Sequence, residues 1–373
     1  MKFGEPVVMG TLDNGHLPSG DDSSFDGVMH PTSWDRFKVM IDESVNSGTT
    51  FSNAVVSTYS LVYTLSQAYW GGVLDSSGSV HFVPFNASVG QKVSTAGVVS
   101  TYSLVYTTGN AYGGGVLLAN GDIHFIPHNA SVGQKISASG VVSTYSLVYT
   151  IASAYSGGVM QPDGTTYFVN DDSGRGQKIS PSGVVSTYSL PYTNSAAWAG
   201  GCMDSQGNIH FFSYANAPAN LKVSPSGIIS TYSLIYTGPG YFMGGVISSS
   251  GEIHMIPNSA AVGQKISSAG VVSTYSLVYT ASNAANGGVL APNGDIYFVP
   301  YSGTVGQKVS ASGVVSTYSL AYTVGGAYIG GVLAPNGDIH FVPYIGVRGQ
   351  KISTNCETPL SLSTCCSPIF NKF

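Results

Sequence analysis

The sequence predicts an all-β fold, a seven-bladed β-propeller of four-stranded blades, and three observations predict it. The segment Ser-Thr-Tyr-Ser recurs with its tyrosine at Tyr59, Tyr102, Tyr145, Tyr188, Tyr232, Tyr275 and Tyr318, spaced 43, 43, 43, 44, 43 and 43 residues apart. A Gly-Gly pair follows each copy in phase, starting at Gly71, Gly114, Gly157, Gly200, Gly244, Gly287 and Gly330. Between these landmarks lie short apolar or alternating runs cut by turn residues, with no 3.6-period segment long enough for a helical array. A four-stranded repeat of about 40–45 residues has the length of a propeller blade, and seven copies lie within the usual range of about four to eight.

One unit shows the elements in order. Residues 287–290 form a short apolar strand, followed by Ala-Pro-Asn-Gly, in which Asn293-Gly294 suits a two-residue hairpin turn needing positive φ at both central positions. Residues 295–300 are the expected second strand, 306–310 the third and 314–323 the fourth. In the fourth strand the alternation is explicit: Tyr59, Leu61 and Tyr63 fall on one face, and Val56, Thr58, Ser60 and Val62 on the other. These paired tyrosines are expected to pack between neighbouring blades.

The ends of the array predict its closure. Its first complete element is a fourth strand, residues 55–64, whereas the last copy stops after its third strand at Ser353. The N-terminal strand 55–64 is therefore expected to complete the last blade, closing the ring and removing an open sheet edge. This divides the chain into an N-terminal extension (1–54), the propeller (55–353) and a tail (354–373). The extension is either an anchoring or docking module or a simple cap. Three of the four cysteines (Cys356, Cys365, Cys366) crowd the tail, leaving Cys202 in the ring, so neither a disulfide framework nor a zinc pattern holds the repeats.

Composition narrows the function. Only 8 % of residues are charged, yet 43 % are hydrophobic, with 24 Tyr and 15 Phe, so the chain can bury a core behind a surface of hydroxyls and amides. The net charge of −5 resides in residues 1–54, where eight acids face Lys2, Arg36 and Lys38; residues 55–353 hold nine acids and nine bases. A neutral body offers no counterion-release drive toward duplex DNA, so no nucleic-acid partner is expected. No apolar run approaches the roughly 20 residues a membrane span needs, and the N-terminus lacks the apolar core of a secretory signal.

Several recurring positions carry side chains suited to chemistry. A histidine recurs in the second strand (His81, His124, His210, His254, His340), replaced by Tyr167 and Tyr297 in two copies. Equivalent positions lie around a ring rather than converging on one ion, so a shared hydrogen-bonding role between blades is expected. A lysine recurs in the third strand (Lys92, Lys135, Lys178, Lys222, Lys265, Lys308, Lys351) and reads as solvated edge charge before an anion-binding annulus. Most propeller acids flank the first hairpin turn; only Asp171 and Asp172 break that pattern, as weak candidates for a calcium or ligand loop beside the plainer reading of a divergent surface loop. Two residues before each Gly-Gly pair stand Tyr69, Tyr112, Tyr155, Trp198, Phe242, Ala285 and Tyr328, expected in the connection between blades. As an exposed ring they would form tentative sugar-binding platforms; the competing reading is that they fill the junctions between blades. No nucleophile elbow, phosphate loop or Cys-x-x-Cys site occurs, so no catalytic residue, metal or cofactor is expected.

The unit Gly-Gly-Val-Leu-Ala-Pro-Asn-Gly-Asp-Ile-His-Phe-Val-Pro (residues 330–343) resembles propeller repeats of large DNA viruses and bacteriophages, and the resemblance extends over residues 55–353. The repeat lacks the Gly-His and Trp-Asp ends of WD40 units and most of the kelch pattern. The resemblance implies a non-enzymatic virion-associated structural or attachment protein, at a virion or extracellular surface, meeting its assembly partners through 1–54 or the tail. A multivalent glycan-binding lectin is the alternative expectation, and a polysaccharide-acting enzyme the third.

Overall fold

The computed structural model of the protein describes residues 54–354. They form seven four-stranded antiparallel sheets in sequence order, and among the described residues there is no helix. Blade 1 spans 69–103, blade 2 112–145, blade 3 155–188, blade 4 198–232, blade 5 242–276 and blade 6 285–318. Blade 7 takes three strands from 328–353 and its outer strand from Val55–Ser60. The first strands of successive blades pack on one another, blade 7 on blade 1 included, so they line the axis of a closed ring. The expected extension and tail, including Cys356, Cys365 and Cys366, lie outside the described residues, apart from Ala54 and Thr354.

The Gly-Gly pair has two separate jobs. In blade 1, Tyr69 pairs with Pro84 but the next partners are Gly72 and Phe82, a one-residue bulge. Gly71 supplies its positive φ of 79°. Gly72 then lies against blade 7: a Cβ there would sit 2.7 Å from Val332 and 3.0 Å from Val342. The bare glycine is the seat into which the neighbouring blade's valines fit.

A second glycine explains the recurring tyrosine. Gly90 in the third strand pairs with Tyr102 in the fourth, and the tyrosine ring covers the glycine so closely that a Cβ would lie under 3.0 Å from it. The same cross-strand pair recurs in every blade except blade 4, where Asn220 faces Tyr232. The first tyrosine of each copy thus packs within its own blade rather than between blades, correcting the expectation.

Two strand boundaries also differ from expectation. First strands begin at the aromatic, as in Tyr328–Leu333, and fourth strands end near the tyrosine, as in Val315–Tyr318 and the closing strand Val55–Ser60. The fourth strands stop early because the next blade captures their exits. The Gln91 side-chain carbonyl of blade 1 accepts the N–H groups of Val62 (2.9 Å) and Tyr63 (2.8 Å), drawing the chain out of its own ladder. Gln134, Gln177, Gln264, Gln307 and Gln350 repeat this clamp. Blade 4 departs from it: Leu221 replaces the glutamine where Pro191 has no N–H to give.

Closure is as the chain ends predict. Val55–Ser60 pairs with Arg348–Ser353 from Val55↔Ser353 to Ser60↔Arg348. Tyr59 lies on Gly349 as Tyr102 does on Gly90, and its hydroxyl meets His340 Nδ1 at 3.2 Å.

Candidate functional site

The structure first relocates the sequence-derived candidates. Tyr69, Tyr112, Tyr155, Trp198, Phe242 and Tyr328 open the first strands rather than standing in connections, and each is at most 1 % exposed. Their polar tips are tied to backbone in the same blade: Tyr112 Oη donates to Val132 O (3.2 Å), Tyr328 Oη to Arg348 O (3.0 Å) and Trp198 Nε1 to Ala219 O (3.1 Å). A sugar has no ring face to stack on there, so these residues pack the blades and are not the binding platform.

Four of the five recurring histidines bond within a blade, not between blades, and His124 Nδ1 has no hydrogen-bond partner among the described residues. His81 Nδ1 meets Tyr102 Oη at 3.2 Å, and His210 Nδ1 meets Tyr232 Oη at 2.9 Å. Their other ring nitrogens meet Asp75 (3.0 Å) and Asp204 (3.1 Å). Burial opposes ionisation of Asp75, yet hydrogen bonds from His81, Ser77 and Ser79 hold its carboxyl at about 2. In blades 2, 5, 6 and 7 the acid instead pairs with the third-strand lysine, as in Lys135–Asp122 (2.9 Å) and Lys308–Asp295 (2.6 Å). Four of the seven recurring lysines are therefore half-buried ion-pair partners rather than freely solvated edge charges. Burial pushes His124, His254 and His340 down to about 4.

Asp172 also has a structural task. Its Oδ1 accepts the Ala196 N–H (2.5 Å) and the Ser195 hydroxyl (2.7 Å), as Asn86 Oδ1 accepts the Asn110 N–H (2.8 Å). It fixes the connection into the next blade. Among the described residues no three His, Cys, Asp or Glu side chains gather as metal ligands.

What the structure brings together is a set from the second-to-third-strand loops, which the sequence marks as a candidate at Asp171 but not as a ring. Immediately after each second strand stand Phe85, His128, Asp171, Tyr214, Asn258, Tyr301 and Tyr344. Their carbonyls accept N–H groups from the next blade, from Ala111 to Phe85 (2.8 Å) and Ala154 to His128 (2.9 Å) round to Ala68 and Tyr344 (3.3 Å). This backbone circuit crosses all seven blade junctions while leaving the side chains free to differ. One residue past each buried aromatic is a second ring: Trp70, Gly113, Ser156, Ala199, Met243, Asn286 and Ile329, seven different residues at seven equivalent positions.

The two rings meet at the axial mouth, on the face where the second-to-third-strand loops and the blade connections open together. The half-buried Trp70 lies 4.7 Å from Phe85, 5.7 Å from His128 and 6.0 Å from Tyr344, centroid to centroid, so it touches three blades. Tyr301 extends the arc, 6.0 Å from Tyr344. On the other side are polar groups. His128 Nδ1 meets Tyr155 O at 3.1 Å, and burial lowers its basicity, partly offset by that bond and by Asp172. Burial, then the charge of Asp172, pushes the Asp171 carboxyl up to about 7. None of the fourteen positions holds Lys or Arg. Chemically this is an aromatic shelf beside an imidazole, with a carboxyl at the equivalent position of the next blade able to donate or accept a hydrogen bond near neutrality. The available signal in the sequence was variation at fixed phase: these positions change from copy to copy while the Gly-Gly and Ser-Thr-Tyr-Ser landmarks on either side do not.

No protein-family model matches the chain, and no curated protein does. Solved structures do. The chain is similar to virginiamycin B lyase from Staphylococcus aureus at 16 % identity and a TM-score of 0.70, over 81 % of this chain and 99 % of that one. It is similar to the WD40 propeller domain of Doa1 at 15 % identity and a TM-score of 0.61, over 81 % and 99 %. Hydrazine synthase from Kuenenia stuttgartiensis matches at 11 % identity and a TM-score of 0.58, over 79 % and 97 %. At these identities the likeness is one of fold. Neighbours with such different names share the ring and not a chemistry.

Proposed function

We propose that the protein is a non-enzymatic structural or attachment component of a virion, or of an extracellular surface, with the propeller as a rigid body and the axial mouth as its recognition element. The observation that carries this reading is the convergence of two highly varied repeat positions on one place. Residues that seat the blades recur from copy to copy, whereas Trp70, Phe85, His128 and Asp171 have no counterparts of their own kind around most of the ring. The resemblance of the repeat to viral and phage propellers supports the virion setting, with 1–54 or the tail as the joint to other particle proteins.

Mass spectrometry and cryo-EM of particles purified from the native source test this. The expected result is the chain recovered with the particles and a seven-bladed ring in their density. Recovery only from fractions free of particles and surface material would overturn it. A second reading, a glycan-binding lectin, is favoured by the arc of Trp70, Phe85, Tyr344 and Tyr301, and it is compatible with attachment. A glycan array tests it, with retention expected and blank arrays counting against it.

A further inference from the structure

We propose that the axial mouth binds one neutral pyranose per ring, with Trp70 as the stacking face and His128 and Asp171 as hydrogen-bonding partners for its hydroxyls. This inference rests on the mouth being the recognition element.

Stoichiometry follows from the loss of symmetry. Seven equivalent sites would need the same platform in each blade, and the equivalents of Trp70 include Gly113, Ser156 and Ala199, which offer no ring. The aromatics that open the first strands are buried, so Trp70 is the one indole among the mouth positions and marks one stacking site.

Ligand class follows from ring packing and charge. A cage for a cation holds aromatic faces apart around a void, whereas Trp70, Phe85 and Tyr344 fill one another's space at 4.7–6.4 Å and tilt by 47–78°. What remains is a partly exposed shelf. An anion would meet no Lys or Arg at the fourteen mouth positions, one of which is the acid Asp171. A pyranose has an apolar C–H face for an indole and a hydroxyl edge for an imidazole and a carboxyl, which is the pairing present here. His128 and Asp171 occupy consecutive places on the backbone circuit, each with its carbonyl bonded to the following blade (2.9 and 3.1 Å), so their positions are held before a ligand arrives. Near neutrality the Asp171 carboxyl populates both forms and can serve a hydroxyl as donor or acceptor.

The test uses the full chain with the methyl pyranosides of glucose, galactose, mannose and N-acetylglucosamine, read by saturation-transfer NMR and by calorimetry. The expected result is saturation of ring C–H protons in at least one sugar, with about one site per chain. Trp70→Ala should weaken that binding at least tenfold. Trp70→Leu, which keeps much of the apolar volume without a flat face, should do the same while the ring stays folded by circular dichroism, separating lost binding from lost folding. His128→Ala and Asp171→Ala should each weaken it severalfold. Absence of saturation from all four sugars would overturn the proposal. So would about seven sites per chain, unchanged binding in Trp70→Leu, or Trp70-dependent binding of tetramethylammonium or acetate in place of the sugars. Association with particles is measured separately, so failure here leaves the virion reading standing.

Discussion

The closing strand permits a sharp test in which one substitution changes sign with its background. Gly349 lies under the Tyr59 ring, and a Cβ at that position would come within 3.0 Å of three ring carbons. In Gly349→Ala the ring must leave its seat, and Tyr59 Oη moves away from His340 Nδ1, now 3.2 Å away. Overpacking of this kind costs about 1–3 kcal/mol, and a lost hydrogen bond about 0.5–1.5 kcal/mol. Gly349→Ala should therefore destabilise the ring by about 2–4 kcal/mol. With Tyr59→Ala already present the methyl group has room. Gly349 does not have a positive φ, so alanine should then stabilise by about 0.5–1 kcal/mol through reduced backbone entropy. Guanidinium unfolding of the wild type, both single variants and the double variant measures the cycle, using midpoint shifts at constant m. An equal cost for Gly349→Ala in both backgrounds would refute the assigned packing and the claim that the closing strand reproduces the ordinary blade edge.

Four other predictions follow from the blade chemistry and the ring closure. Burial holds His124, His254 and His340 near 4 against an ordinary value of 6.5, so the unfolded chain takes up more protons between those limits. Their contribution is complete above pH 6.5 and lost as the pH falls toward 4; His124→Tyr should flatten the fall in melting temperature over that window, and an unchanged profile would count against it. That variant suits blade 2 because Tyr145 Oη already donates to Phe125 O (3.2 Å), as Tyr318 Oη donates to Phe298 O (2.7 Å) beside Tyr297 in blade 6. Gln134→Leu should cost about 2–4 kcal/mol by stranding the N–H groups of Val105 and Tyr106. Conversely, Pro191→Val with Leu221→Gln should stabilise the blade 3–4 junction beyond the sum of the single changes, as read by urea midpoints. Deleting 55–60 should lower the melting temperature and open blade 7 to protease, and unchanged melting would refute the closure.

Much of the ring was legible because its local requirements leave marks that repetition multiplies. Positive-φ turn positions demand glycine, half-buried strands demand alternation, and seven copies in phase make each mark unmistakable. The missing outer strand was readable for the same reason, since a periodic array shows where it is cut. The clamps were harder. Gln91 differs from any polar residue of a third strand only once the exit containing Val62 is known to lie beside it. The Pro191 and Leu221 exchange becomes intelligible only through that contact.

The candidate site shows the limit most clearly. A tyrosine two residues before a glycine pair and a tryptophan one residue before it look equally suited to a ligand, yet the bulge and the inward turn of the first strand bury Tyr69 and leave Trp70 at the mouth. Sequence alone determined the architecture, the number of blades and the origin of the closing strand, because these depend on local backbone geometry and period. Tertiary structure decided which aromatics fill the blades and which form the shelf. That depends on closure of the ring, which sets Trp70 against Tyr344 from the far end of the repeat array, a proximity no local signal encodes.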